Sequence, residues 1–516
     1  MDDPRIADAW ARLPDYLGNH VLVCVISLAL GLAISLPLAL VCRRRPALRA
    51  MALGITSVVQ TIPGLALLAL FYPLLLAAAA LAERTLGFSF SALGLLPSVL
   101  ALTLYSMLPV LRNTIAGLDA IDPAIREAAV GVGMTPRQSL LMVEWPLALP
   151  IIMAGIRTAA VWVIGAATLS TPIGQTSLGN YIFAGLQTQN WIFVLFGCAA
   201  AALLAIATDQ LLGLIEIGVA RRRRGYKIVG TAGLAAVAAL TLLAVSPGQG
   251  LSYVIGAKPF AEQYILAALV QQRLAADGLS ATSRDGLGSA VIFDALAQGD
   301  IDIYVEYTGT LWANQMQRTD VLPRAQVLAE VTRWASETYG VKVLGTLGFE
   351  NAYTLAMTRE LATELGVKTD SDLAIYAPRL SIAGDYEFFG RPEWRALRET
   401  YGLTFRSERQ MQSEFMYSAA AAREVDVIAG YTSDGRMAQY GLIALADNRH
   451  AIPPYDAIVI VSPKRANDAA FLKAVHPLLG AINIDLMRQA NLKISVDKSA
   501  TPESVARWLW EQIERR

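Results

Sequence analysis

The sequence predicts a chain in two parts: an N-terminal all-α polytopic membrane domain of about six spans, and a C-terminal α/β domain. Three observations carry this. Apolar runs of bilayer-crossing length, about 20 residues, fill the first half. Past Ser246 charged residues become frequent, and apolar runs shorten to strand length between amphipathic helical stretches. Between the two textures lies "SPGQG", Ser246 to Gly250, a linker by composition. At 516 residues, 54% hydrophobic and 17% charged, the chain is too long for one domain and reads as a membrane protein diluted by a soluble one.

The N-terminus, "MDDPRIADAW", is acidic, so no cleavable signal is expected there. The spans expected are His20–Val41, Met51–Leu81, Leu93–Leu111, Leu147–Leu169, Trp191–Ile217 and Ile228–Val245. "CRRRPALR" follows the first and "RRRRGYK" the fifth, and positive charge marks the cytoplasmic side. Counting from an external N-terminus places both clusters and the Arg112–Pro146 loop inside, and everything past Ser246 outside. This parity treats Met51–Leu81, about 46 Å at 1.5 Å per residue, as one long span kinked at Pro63-Gly64 and Pro73. Beside Gln60 and Thr61, that kink either lines a path or only packs. Arg157 is a costly charge inside the fourth run, near enough to its end to snorkel. The sixth span also looks like a secretory signal, with a basic flank and Ala244-Val245-Ser246 as a weak cleavage site; it is expected to be retained as an anchor.

The polar loop is built rather than merely long. Asp122-Pro123 and Thr135-Pro136 each read as an N-cap followed by proline at the first helical position. Gly131 and Gly133 end the first short helix, and Pro146 pins the pair to the next span. Such a helix–turn–helix is suited to being held by another protein. Glu127-Ala128-Ala129, Gly133 and the "VEWP" ending in Pro146 resemble the EAA motif of ABC importer permeases, with Trp145 where leucine is usual. The resemblance implies a type I importer permease fold whose loop docks into a cytoplasmic ATPase. "QTIPGLALLALF" and "IGQTSLGNYIFAGL" resemble the branch importing glycine betaine, carnitine and choline. No GxxxxGK[ST] stretch occurs, so ATP is handled by another polypeptide.

In the second half, strands are expected at Ser252–Ile255, Ile301–Glu306, Tyr353–Met357, Leu380–Ala383, Val425–Ala429 and Ala457–Val461. A helix carrying Ile265, Leu266, Leu269 and Leu274 follows the first. Strand–helix alternation implies a mostly parallel sheet, with ligands outside the carboxyl ends of the strands. Those ends read "EYTGT", "GDYEFFGR" and "GYTSDGR", while "NAY" opens a strand and "MYSAA" lies on a helix. "IGAKPFAEQYIL", "IDIYVEYTGT", "MYSAA" and "GYTSDGR" resemble substrate-binding proteins of quaternary-ammonium importers. The resemblance implies a two-lobed periplasmic-binding-protein fold of type II, with residues 352–456 as the second lobe. It implies a ligand cage of Tyr307, Tyr353, Tyr417 and Tyr431, Arg391 on a carboxylate, and Lys258, Thr310 and Asn351 as polar contacts. Pro259 stands where asparagine is common, which bears on the Lys258 contact. The chemistry is apt. A quaternary ammonium has no N–H to donate, so aromatic faces hold it, at about 0.5–2 kcal/mol each. Arginine's fork matches a carboxylate and favours betaines over choline.

The resulting organisation is 1–225 permease with its docking loop at about 112–146, 226–250 sixth span and linker, and 251–516 extracytoplasmic binding domain. The expected assembly is a permease homodimer with two ATP-binding subunits in the inner membrane, importing glycine betaine, carnitine, ergothioneine or a similar zwitterion. A membrane-anchored sensor for such a ligand is the alternative; six spans and a docking loop exceed its needs. Neither the three cysteines nor the three histidines have metal-ligand spacing, and no nucleophile–base set appears, so no metal, cofactor or enzymatic site is expected. Zero net charge and the lack of a basic surface give no sign of a nucleic-acid partner.

Overall fold

The computed structural model describes residues 4–87, 90–188, 190–244, 252–497 and 499–515. Val245 and the linker expected at Ser246 to Gly250 lie outside them. The chain forms two compact units, a helical one of Ile6–Ile182 with Ile192–Pro247, and a second that holds Gly248–Arg516.

The helical unit begins with α1 (Pro4–Arg43), α2 (Pro46–Thr61), α3 (Gly64–Leu86) and α4 (Leu95–Asp119). It continues through α5 (Pro123–Gly131), α6 (Pro136–Ser139), α7 (Trp145–Ala167), α8 (Gly179–Gln187), α9 (Trp191–Ala220) and α10 (Arg224–Ala244). Among the described residues five helical stretches are long and apolar enough to cross a membrane: α1, α3, α4, α9 and Pro136–Ile173, which contains α7. The apolar run of α10 reaches the edge of the described residues and falls outside that set. The single kinked span expected at Met51–Leu81 is corrected to two helices. Ile62 precedes a proline, which disfavours helical backbone; it takes φ −72°, ψ 126° and the helix stops. Tyr105 of α4 donates to the freed Ile62 carbonyl, and Gln60 Nε2 donates to the Tyr105 carbonyl at 3.2 Å. Arg49 meets Asp119 at 2.6 Å, and Leu67 and Leu68 pack with Ala101. The two helices thus descend one after the other along α4, and α2, about 24 Å long, is too short to cross alone. Arg157 does not snorkel. It forms a fork with Asp209 at 2.7 and 2.8 Å and reaches Glu216 at 2.8 Å, tying α7 to α9 by charges that satisfy one another.

The loop between α4 and α7 is capped at both short helices. Asp122 accepts from the Ala124 amide, and Thr135 and Gln138 form a capping box. Gly133 adopts φ +81°, a conformation only glycine takes cheaply. Pro146 joins the loop to the next span within continuous helical backbone. Leu140–Glu144 is one π-helical turn running straight into α7, and this wider turn sits just before Pro146, which cannot supply a helical N–H. Glu127, Ala128, Gly133 and Pro146 are exposed, and Ala129 is buried. Val130, Val132, Leu141 and Met142 also present apolar surface.

The second unit has two five-stranded sheets. In the first the order is β2 (Ala281–Arg284), β1 (Tyr253–Gly256), β3 (Ile303–Tyr307), β10 (Asp456–Val461), β4 (Lys342–Glu350). In the second it is β7 (Ser407–Gln410), β6 (Ser381–Gly384), β8 (Val427–Tyr431), β5 (Tyr353–Thr358), β9 (Leu442–Ala444). The expectation of mostly parallel sheet is corrected: both are mixed. β1–β2, β1–β3, β6–β7 and β6–β8 are parallel, whereas β10 and β5 run antiparallel to both their neighbours. β5 and β10 arrive from the opposite sheet, so no crossover helix dictates their direction. The chain passes between sheets at Asn351-Ala352 and again before β10, and the Asn351 amide donates to the Tyr455 carbonyl at 3.0 Å. Each sheet has its own core. Ile265, Leu266, Leu269 and Leu274 pack on the first, and Leu355, Ile382 and Trp394 on the second.

Candidate functional site

The strand ends gather an aromatic array. Tyr307 ends β3 and Tyr431 ends β8. Tyr353 opens β5, yet antiparallel register sets it directly opposite Tyr431, so both rings emerge at one edge with centroids 5.0 Å apart. Phe260, just ahead of the helix Ala261–Ala276, lies 6.3 Å from Tyr307 and 6.5 Å from Tyr431 and so joins the rings of the two sheets. Tyr455 meets Tyr353 edge-on at 6.4 Å. The array is therefore Phe260, Tyr307, Tyr353, Tyr431 and Tyr455. Tyr417 is not in it. Its ring is fully buried in a separate cluster with Met416 and Ile428, under the Arg436 guanidinium at 4.5 Å. Its hydroxyl accepts from the Tyr431 amide at 3.2 Å, so it supports a member of the array from behind.

Every tyrosine of the array donates its hydroxyl to a carboxylate. Tyr307 donates to Glu262 at 2.5 Å, Tyr353 to Asp385 at 3.2 Å, Tyr431 also to Asp385, and Tyr455 to Glu393. Burial first, then these neighbouring carboxylates, holds the Tyr307, Tyr431 and Tyr455 phenols well above their usual range. The rings stay protonated and fixed in orientation, and donation toward an anion enriches their faces in electron density.

Arg391 lies at the edge of the array, its guanidinium 5.5 Å from the Tyr353 centroid. Nη2 donates to Glu387 and, at 3.2 Å, to Ser289 Oγ, while Nε and Nη1 are buried without a hydrogen-bond partner. Lys258 is committed elsewhere. It is ion-paired with Glu306, with its ammonium 5.3 Å from the Tyr307 centroid, and burial pulls its pKa down. Thr310 is buried in the turn that follows β3. Asn351 donates to Glu262 at 3.1 Å.

Glu262 is the residue that sequence reasoning passed over most completely. Besides Tyr307 and Asn351, its carboxylate receives Ser433 Oγ and Asn491 Nδ2, both at 2.6 Å. Ser433 follows β8 of the second sheet, while Tyr307 and Asn491 belong with the first, so one buried anion joins the two lobes. A small cavity of about 30 Å³ lies beside it, bordered by Phe260, Asn351 and Tyr431. Phe260 and Glu262 both stand within "AKPFAEQY", and Tyr455 immediately precedes β10; an aromatic or acid flanking a strand-end motif was the available signal. Rings that attract a cation, beside a guanidinium two of whose nitrogens lack a hydrogen-bond partner, can hold a small molecule carrying both an onium group and a carboxylate.

Residues 252–512 match a family described as the substrate binding domain of ABC-type glycine betaine transport system. Residues 31–221 match one described as binding-protein-dependent transport system inner membrane component. The ergothioneine transport permease/ergothioneine binding protein EgtU of Helicobacter pylori (strain G27) is 28% identical over 484 residues, 90% of this chain and 84% of that protein. The choline transport system permease protein OpuBB of Bacillus subtilis (strain 168) is 38% identical over 198 residues, 38% of this chain and 84% of that protein. A solved glycine betaine/carnitine/choline ABC transporter structure is 25% identical, with TM-score 0.45, over 51% of this chain and 99% of its own.

Proposed function

The chain belongs to the family of substrate-binding domains of ABC-type glycine betaine transport systems, here fused behind an inner-membrane permease component, and from that premise we propose that it captures a trimethylammonium zwitterion and forms its path through the membrane. The observation that carries the ligand class is Arg391, buried beside the rings with two guanidinium nitrogens that lack a hydrogen-bond partner, one of them in a 3.6 Å ion pair with Glu393. The onium group sits among the faces of Phe260, Tyr307, Tyr353 and Tyr431, and the carboxylate on Arg391. Tyr417 and Lys258 act from behind, through Tyr431 and Glu306. The binding domain occupies residues 251–516 on the extracytoplasmic side, which the arginine clusters at 43–45 and 221–224 favour. α10 is retained as its tether, so that intact chain is the form expected in membranes.

ATP is hydrolysed by a separate cytoplasmic subunit gripping the 112–146 loop through Glu127, Ala128 and the apolar surface beside Gly133. With one such loop per chain, two copies of the chain serve two ATPases. The ligand assignment is tested by calorimetric titration of the detergent-solubilised chain with tetramethylammonium, choline, glycine betaine, carnitine and ergothioneine. Binding of the zwitterions, lost in Tyr431→Ala, is the expected result. Binding of none of the five would overturn it.

A further inference from the structure

Three buried polar atoms at the Arg391 end of the array have no hydrogen-bond partner: Arg391 Nε, Arg391 Nη1 and Glu393 Oε2. The two residues are neighbours: Arg391 Nη1 is ion-paired with Glu393 Oε1 at 3.6 Å, and the two side chains are 10% and 0% exposed. Tyr455, a ring of the array, donates to Oε1 and thereby fixes which oxygen of Glu393 is left over. Polar groups this deeply buried are almost always paired, so their joint orphaning marks a place where a ligand completes the set. The two donors suit a carboxylate. The acceptor does not, since a carboxylate oxygen against Glu393 Oε2 would set lone pair against lone pair. It needs a ligand hydrogen.

Resting on the function proposed above, we propose that the ligand carries a hydroxyl or N–H that donates to Glu393, in addition to its trimethylammonium and carboxylate groups. Glycine betaine has no such donor, and choline has a hydroxyl but no carboxylate. Carnitine, with its hydroxyl, and ergothioneine, with its ring N–H, satisfy all three atoms. Glu393 is then the residue that selects among trimethylammonium compounds, while the rings accept them all.

The test is a titration series on the intact solubilised chain with glycine betaine, carnitine, ergothioneine and choline. At least one donor-bearing zwitterion binds wild type about tenfold or more tighter than glycine betaine, because a site built to receive a hydrogen bond rejects the analogue lacking it. Glu393→Gln keeps the shape. With Tyr455 still donating to the amide oxygen, it presents N–H₂ where Oε2 stood. Donor-bearing ligands lose about tenfold, and glycine betaine, gaining a donor for its carboxylate, does not. That crossover is beyond a merely structural role. Wild type binding glycine betaine as tightly as both carnitine and ergothioneine overturns the inference and leaves the transport reading standing, whatever the variant does. Equal losses for every ligand in the variant overturn it as well. Binding of no trimethylammonium compound removes both.

Discussion

Glu262 should make ligand affinity depend on a bond the ligand never touches. Its Oε1 receives Tyr307 at 2.5 Å and Asn351 at 3.1 Å, and its Oε2 receives Ser433 and Asn491 at 2.6 Å each. Hydrogen bonds to a charged partner contribute about 1.5–3 kcal/mol each. Ser433 comes from the second lobe, so its bond exists only when the lobes are closed. Any loss of the closed state's stability is subtracted from apparent affinity. Ser433→Ala should therefore weaken binding about 10- to 100-fold, at 1.4 kcal/mol per decade. Glu262→Gln sets an N–H₂ against two of the four donors and should cost at least as much. Burial already raises the Glu262 pKa, and the relief of that penalty offsets part of the loss. Titrating both variants and the double variant with carnitine is the assay. The double variant should bind no worse than Glu262→Gln, because both remove one interaction. Fully additive losses, or Ser433→Ala at wild-type affinity, would refute the closing role.

Three further outcomes follow from the geometry. Arg391→Ala should weaken glycine betaine and carnitine far more than choline in the same titration, since only the former lose a charge-assisted pair; equal losses would remove Arg391 from the site. Gly133→Val should abolish uptake while leaving ligand binding intact. The cost lies in backbone at φ +81°, with nothing within 4 Å to clash, and wild-type uptake would dissociate the loop from coupling. Asp370, pushed up to about 7 by burial and then by Asp447, holds its proton in the folded state. The folded form thus binds more protons than the unfolded between about pH 4 and pH 7, and stability falls as pH rises through that window, by at most about 4 kcal/mol. Thermal melts should show Asp370→Asn abolishing that decline; a parallel decline in the variant would refute it.

The strand cores Ile303–Glu306, Tyr353–Met357, Val427–Ala429 and Ala457–Val461 were legible because their apolar runs are short and sharply bounded. β4 was not, although it is the longest strand. Gly345 and Gly348 break its alternation, and it pairs with β10 through register shifts. β7, "SERQ", is a polar edge strand with no hydrophobic signature to read. The structure brings Tyr307, Tyr353, Tyr431 and Arg391 of the expected set together and sets Tyr417 apart, in a separate cluster. Motif spacing puts that residue near Tyr431 without revealing which face of the sheet its helix covers. The carboxylates behind each hydroxyl were invisible for a related reason. Glu262, Asp385 and Glu393 come from three separate segments, and only folding brings each to its tyrosine.

The Arg157 fork also bears on how the protein is made. α7 leaves the ribosome with a guanidinium whose partner at Asp209 lies 52 residues further along the chain. Inserted alone, that arginine costs about 2.5–3.5 kcal/mol at mid-span on insertion scales, and the later helix has two carboxylates in the same predicament. Each helix is apolar enough to cross by itself, but only the two together cancel the charges they carry. α7 should therefore gain its final seat only once α9 has arrived, so that a truncation between them leaves a span whose arginine is drawn toward the membrane surface.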